Sequence, residues 1–504
     1  MANPLFDALF GQHKGKDTPF LLLPDGHVIS HAGFLGVAAR YANVFSSLGL
    51  APGDRVAVQI EKSPDALALY AACVQAGLVF LPLNPAYKPA EVDYFVDNSG
   101  ARLLVCDPAK ADSLADVAKA AGAQMETMDA SGNGSLRTLA KDQPDSFATV
   151  SRTPDDLAAF LYTSGTTGRS KGAMLSQKNL LSNAQTLVTH WGFTSDDILL
   201  HALPIFHTHG LFVATNIMLL TGGAMIWMPR LDVAQLIRFM PQATALMGVP
   251  TFYTRLLDDP AFTKELTKDM RLFISGSAPL LAETHRAFEE RTGHRILERY
   301  GMTETNMNTS NPLEGARRAG TVGMPLPGVE LKVTDPETGA TLQDGEIGVI
   351  EVRGDNVFQG YWQMPEKTAA ELRDDGFFIT GDLGLIDEHG YVQIVGRGKD
   401  LIISGGYNIY PKEVETVLDD QPGVLESAVI GVPHADLGEC PVGIMVATGG
   451  AVPDLDAINA TLQTRMARFK CPRRLVVVDA LPRNTMGKVQ KNVLRETYAD
   501  LLTS

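Results

Sequence analysis

LAAFLYTSGTTGRSKG, Leu157 to Gly172, runs an apolar strand into a loop with little to pack and much to donate. Gly165 and Gly168 let backbone N–H groups converge, Thr163, Ser164, Thr166 and Thr167 add hydroxyls, and Lys171 adds positive charge. Those are the parts of a phosphate cradle. It is not a Walker loop, because Ser170 stands before Lys171 where that motif needs glycine.

Working outward, strand-like runs alternate with helical ones. RVAVQI (Arg55–Ile60) is followed by the helix SPDALALYAACVQAG and then VFLPLN, and RLLVCD by KADSLADVAKAAG. ALMGVP and LFISGSAP repeat the pattern, the latter leading into LLAETHRAFEERTG. This βαβ rhythm builds parallel sheets, and the Gly, Ser and Pro that end the later strands place functional loops at carboxyl ends. After about Gly315, short strands punctuated by Gly and Pro (VGMPLPGVELKV, GEIGVIEVRG) predict a β-rich subdomain. A small α+β unit begins near residue 400. The reading is α/β: a large N-terminal domain (1–396, with about 316–396 β-rich), a tight hinge (397–400) and a C-terminal domain (401–504).

Bulk properties agree with a folded enzyme-sized chain. Its 504 residues suggest about three domains or subdomains, and 45% hydrophobic with 20% charged residues is ordinary for a globular protein. A net charge of -15 argues against a general nucleic-acid or anionic-membrane surface. Cys73, Cys106, Cys440 and Cys471 form no C-x-x-C pair, which favours a reducing compartment. The N-terminus carries no basic leader and apolar core, and no apolar run reaches membrane-spanning length, so the expected location is cytoplasmic. Pro4 to Gln12 reads as a short amphipathic docking helix.

YTSGTTGRSKG, GSAPL (Gly276–Leu280), ERYGMTE (Glu298–Glu304), TGDLG (Thr380–Gly384), GRGKDLIISGGYNIYPKEVE (Gly396–Glu415) and PRNTMGKVQK (Pro482–Lys491) occur in one order. In that order and spacing the sequence resembles the adenylate-forming superfamily of acyl-CoA synthetases, peptide-synthetase adenylation domains and luciferases along nearly its whole length. The resemblance implies a mobile C-terminal lid and two half-reactions. A carboxylate attacks the α-phosphate of ATP to give an acyl-adenylate, and the thiol of CoA then displaces AMP.

It also implies residue roles. The glycine-rich loop with Lys171 would hold phosphates, with Thr166 and Glu304 near Mg²⁺. Tyr300 would stack on adenine, bordered by Ser277, Ala278 and Pro279, with Arg299, Gly301, Met302 and Thr303 in the adjoining motif. Asp382 would accept from the ribose hydroxyls beside Arg397. Lys488 would bridge carboxylate and α-phosphate, and a lysine acetyltransferase and deacetylase acting there would switch adenylation off and on. Lys399 matches the hinge, about which rotation would bring Ser404, Gly405 and Gly406 to the thiol channel.

For the acid, LPIFHTHGL (Leu203–Leu211) is similar to the segment that flanks the acyl site, at His207. ERYGMTETNMNTSNP resembles malonyl-CoA synthetases, which implies an arginine gripping a distal carboxylate. His207, Thr208, Arg286 and Met307 are the expected acid-site residues, with malonate, and methylmalonate second, as the acids. Read without the resemblance, HRAFEER is an exposed helix face with Glu289 and Glu290 at i+3 and i+4 of Arg286. The alternatives are a CoA ligase for another short, medium-chain or aryl acid, a stand-alone enzyme loading a carrier protein, and a silent nucleotide-binding protein.

Overall fold

The computed structural model describes residues 3–163, 170–404, 407–434, 437–450, 453–484 and 487–502. Two large sheets make the N-terminal part. The six-stranded sheet runs in the order Gln124–Thr127, Leu103–Cys106, Arg55–Gln59, Val79–Pro82, Leu157–Thr163, Lys171–Ser176. It is parallel except at its last pair, where Thr163 lies opposite Lys171 in an antiparallel register. The nine-stranded sheet has a parallel centre (Leu297–Met302, Leu272–Ser275, Ala245–Gly248, Ile198–His201, Ala224–Trp227, Pro19–Leu22) with antiparallel additions at both edges.

Most central strands, such as Leu103–Cys106 and Leu272–Ser275, are buried at every position, as a parallel sheet covered on both faces requires. Helix Pro64–Ala76 is buried from Ala66 onward, which explains why its sequence is apolar all round. Ser63 caps its start, and Gly77 closes it in the left-handed region at φ 71°. Helix Pro4–Leu9 is indeed docked: Leu5, Phe6 and Leu9 are buried, and its Asn3 cap donates to the Val74 carbonyl at 2.8 Å.

A four-stranded antiparallel sheet follows (Val329–Thr334, Gly348–Gly354, Phe378–Ile386, Val392–Arg397), then a five-stranded C-terminal sheet carrying helices Pro411–Asp419 and Leu455–Arg465. Between these sheets the chain makes one turn of 3-10 helix, Gly398–Asp400. The expected mixed α/β architecture is therefore present, and no helix among the described residues is long and apolar enough to cross a membrane.

Candidate active site

Parallel strands Ile198–His201, Leu272–Ser275 and Leu297–Met302 share a direction, so the segments that continue from their carboxyl ends, around His207, Ser277 and Thr303, meet on one side of the sheet. The four-stranded sheet adds a wall. Its register sets Asp382 opposite Arg397, and Arg397 Nε lies 2.7 Å from Asp382 Oδ1. Tyr300 donates its hydroxyl to Asp382 Oδ2 at 2.6 Å. Asp382 is nearly fully buried, and its charge holds the Arg397 guanidinium above its ordinary range.

Beside this cluster, Glu304 is buried, and its Oε1 is 3.3 Å from Thr163 Oγ1 and 3.0 Å from the Tyr361 hydroxyl. Lys171 Nζ reaches the Tyr361 hydroxyl at 3.0 Å and Glu371 Oε2 at 3.2 Å. Ser164, Gly165, Thr166, Thr167 and Gly168, and in the lid Gly405 and Gly406, lie outside the described residues. Among the described residues no group of three His, Cys, Asp or Glu could hold a metal ion by itself. One buried carboxylate with neighbouring hydroxyls suits Mg²⁺ that arrives on phosphates and keeps part of its shell from them.

A second group comprises His207, Thr208, His209, Ser277, Arg299 and Met307. Arg299 is 2% exposed, its Nε and Nη2 have no hydrogen-bond partner, and no described carboxylate pairs with it. Burial lowers its guanidinium to about 9. Its neighbour Glu298 points to the opposite face of the strand, where Oε1 accepts from the Leu280 N–H at 3.3 Å. The guanidinium lies against Gly276, where a Cβ would fall 2.4 Å from Arg299 Cζ. His207 is lowered to about 4 by burial and then by the charges of Arg299 and Lys488, so it is a neutral imidazole at pH 7. His209 Nδ1 is 3.2 Å from Ser277 Oγ, while its Nε2 and the Thr208 hydroxyl are buried without partners. Ser277 holds a left-handed backbone (φ 70°), a strained geometry typical of functional sites.

Buried polar atoms without a protein partner can be satisfied by water, an ion or a polar ligand. Arg286 is not among them. Helix Ala282–Thr292 buries Thr284, His285, Phe288 and Thr292, and that stripe turns Arg286 to solvent. Arg286, expected to line the acid pocket, is exposed on this helix, whereas Arg299 is buried beside His207 and His209. Met307 is buried with its methyl against Gly301, where a Cβ would meet it at 2.6 Å.

Lys488, from the C-terminal domain, lies near Arg397, Asp382 and Glu304. It remains open to solvent yet is surrounded by protein, as expected of a side chain reaching into a wet cleft. Burial, then the charge of Arg397, lowers its ammonium, while Asp382 and Glu304 pull the other way. Lys399 is exposed on the 3-10 turn, and Ser404 is buried in the lid's own sheet with Oγ 3.9 Å from Cys440 Sγ. A separate cavity of about 500 Å³ borders Leu203–Phe206. It carries Arg230, Arg255 and, from the lid, Arg483, and none of Tyr300, Glu304 or Asp382 lines it.

Sequence reading missed Tyr361, Glu371 and His209, and it assigned Arg299 to the nucleotide side. HTHGL contains His209 in plain view, but Tyr361 and Glu371 come from a stretch with no chemistry-bearing pattern.

The family described as AMP-binding enzyme matches residues 11–362, and its C-terminal domain matches residues 413–488. Malonate-CoA ligase of Arabidopsis thaliana is 33% identical over 98% of this chain and 88% of its own length. Feruloyl-CoA synthase of Amycolatopsis sp is 36% identical over 94% of each. The structure of ATP-bound MatB from Rhodopseudomonas palustris is 58% identical with a TM-score of 0.98 over 100% of both chains, and the TM-score falls to 0.87 for its apo form. The whole-chain arrangement here is therefore closer to the ATP-bound form.

Proposed function

Since the chain belongs to the AMP-binding enzyme family, we propose that it joins malonate to CoA at the expense of ATP, through a malonyl-adenylate. The observation that carries the acid is Arg299: a buried guanidinium with two free donors and no carboxylate of its own. An isolated buried cation is costly, and a small diacid supplies the missing partner. A relative named for malonate supports the same reading.

In the first step, Arg299 would hold the distal carboxylate, leaving the other carboxylate toward His207 and Lys488. Tyr300 would stack on adenine, Asp382 would accept from ribose hydroxyls, and Lys171 with Thr163 would meet the outer phosphates. Glu304 would hold Mg²⁺, which neutralises charge on the phosphate oxygens. A malonate oxygen attacks the α-phosphorus, the bond to the bridging oxygen breaks, and pyrophosphate leaves. Lys488 faces the charge that gathers between nucleophile and phosphate, so positioning and electrostatics carry the step. Acetylation of Lys488 would remove that charge.

In the second step, the lid would turn about Lys399, withdraw Lys488 and present the Ser404 segment. Ile403 and Tyr407, 54% and 60% exposed here, flank that segment and would then find a surface to cover. The thiol would enter through the 500 Å³ cavity, whose arginines suit the phosphates of CoA. Its sulfur attacks the acyl carbon and AMP leaves. Methylmalonate is the second acid, if Thr208 and Met307 admit its methyl.

The test is AMP formation with ATP, Mg²⁺ and CoA and, in parallel, malonate, methylmalonate, acetate, octanoate or benzoate. A profile led by malonate supports the reading. Activity led by acetate, octanoate or benzoate overturns the acid and leaves the chemistry.

A further inference from the structure

One phenol joins the two halves of the phosphate end of the site. The Tyr361 hydroxyl is 3.0 Å from Glu304 Oε1, 2.7 Å from Glu371 Oε2 and 3.0 Å from Lys171 Nζ. An ammonium only donates, so the phenolic oxygen accepts from Lys171, and its single proton can serve just one carboxylate at a time. Glu371 has a second partner on its own helix, Lys367 Nζ at 2.7 Å one turn earlier. It stays paired whichever way the phenolic proton points.

The backbone fixes this arrangement. Trp362 N donates to the Gly172 carbonyl at 2.8 Å, Met174 N to Gly360 at 3.1 Å, and Gln359 N to Met174 at 3.0 Å. Residues 359–362 therefore extend the sheet beside the strand that carries Lys171. Phe358 packs edge-on against the Tyr361 ring, with centroids 4.8 Å apart. The phenol is thereby set against Lys171 by main-chain bonds, whatever occupies the cleft.

We infer that Tyr361 and Glu371 are positioning residues for the nucleotide's outer phosphates: the phenol couples the carboxylate of Glu304 to the ammonium of Lys171. When Glu304 is taken up in holding a cation, the phenolic proton turns to Glu371. Lys171 then remains anchored through the phenolic oxygen and Glu371, with its third N–H free for a phosphate. The inference rests on reading Lys171 as a phosphate ligand and Glu304 as the carboxylate for Mg²⁺.

Equilibrium binding without acid or CoA tests it, by calorimetry with ATP and with AMP in the presence of Mg²⁺. Tyr361→Phe keeps the ring packing and should weaken ATP by about 10- to 150-fold, the scale of one charge-assisted hydrogen bond. AMP, which lacks the outer phosphates, should bind as before, and KM for malonate and for CoA should not move. Glu371→Gln should behave likewise. The double variant should lose little more than either single one, because residues acting as one unit are not additive. Equal losses for ATP and AMP, additive losses, or unchanged ATP affinity in Tyr361→Phe would overturn the coupling. Lys171→Ala separates the two levels. If it weakens ATP while Tyr361→Phe does not, the coupling alone fails; if it leaves ATP binding intact, the phosphate-ligand reading and the coupling with it are refuted.

Discussion

Replacing Arg299 by methionine asks the most of the proposed function. The side chain is 2% exposed, two of its donors are unpartnered, and methionine fills a similar length without charge. A hydrogen bond to a charged group is worth about 1.5–3 kcal/mol, or roughly 10- to 150-fold in affinity. A malonate carboxylate that takes Nε and Nη2 together loses at least one such bond in Arg299→Met, so kcat/KM for malonate should drop by about 10- to 150-fold or more. Acetate has no second carboxylate to lose, and it no longer faces an unpaired buried cation; its kcat/KM should hold or rise. The quantity to measure is the malonate-to-acetate ratio of kcat/KM from pyrophosphate release. Arg286→Ala, on the solvent face, should leave that ratio within about two-fold of the unaltered chain. Thermal stability of Arg299→Met should hold or increase, since removing an uncompensated buried charge is favourable. A malonate loss below about three-fold, or an equal loss with acetate, refutes the assignment of Arg299 to the distal carboxylate.

The remaining expectations concern the same frame. In Gly276→Ala the new methyl collides with the guanidinium rather than with backbone; malonate KM should rise while ATP KM and the melting temperature stay nearly constant. Lys488→Ala should depress adenylate formation from malonate and ATP by several orders of magnitude, yet spare conversion of supplied malonyl-adenylate with CoA, a contrast that single-turnover assays of the two halves will read. His31 is buried between His13 and Phe20 (ring centroids 4.1 and 4.6 Å), and burial, with the His13 charge, lowers it to about 4. Lys16 lowers it further, and the Gly222 and Gly223 carbonyls oppose the shift. The unfolded imidazole titrates near 6.5, so as pH falls the unfolded chain takes the proton first. The stabilisation is complete above pH 6.5 and declines by about 3 kcal/mol in all between 6.5 and 4. Urea midpoints at pH 7, 5.5 and 4 should fall accordingly, and His31→Gln should flatten the decline.

What the sequence made legible follows from range. RVAVQI and RLLVCD announce buried strands, because burial on both faces demands unbroken apolar residues within one short window. Strand order is a different matter: Leu21 pairs with Met225 and Leu22 with Ile226, a choice made by the packed whole. The site divides the same way. Glycine-rich and turn-bearing segments are visible because backbone geometry limits which residues serve there. Arg286 stood out because HRAFEER offers an arginine on a plausible pocket helix, whereas Arg299 hides between Glu298 and Tyr300 in a strand whose alternation sends neighbours to opposite faces. A signal did exist across the strands. Ser275 pairs with Glu298, so one step on Gly276 faces Arg299, and a glycine there leaves room for a guanidinium. Tyr361 and Glu371 left no such mark, since they meet Lys171 from 190 and 200 residues away.

The charges around the cleft tie the lid to the chemistry. A chain of net charge -15 gathers Lys171, Arg299, Arg397, Lys399 and Lys488 about one site, against Glu304, Asp382 and Glu371. Arg397 and Lys399 lower the Lys488 ammonium while Asp382 and Glu304 raise it, so an added anion would tip the balance toward holding these cations together. ATP would bring a triphosphate and malonate a dianion. Their charge, focused in a cleft of low dielectric, would hold the cations together and the lid with them. By linkage, whatever binds only this lid position stabilises it. In the proposed reaction most of that anionic charge would leave with pyrophosphate, and the repulsion among Arg397, Lys399 and Lys488 would weigh more. In the proposed cycle the departing product would thus loosen the hold on Lys488, and its withdrawal would be the motion the incoming thiol needs.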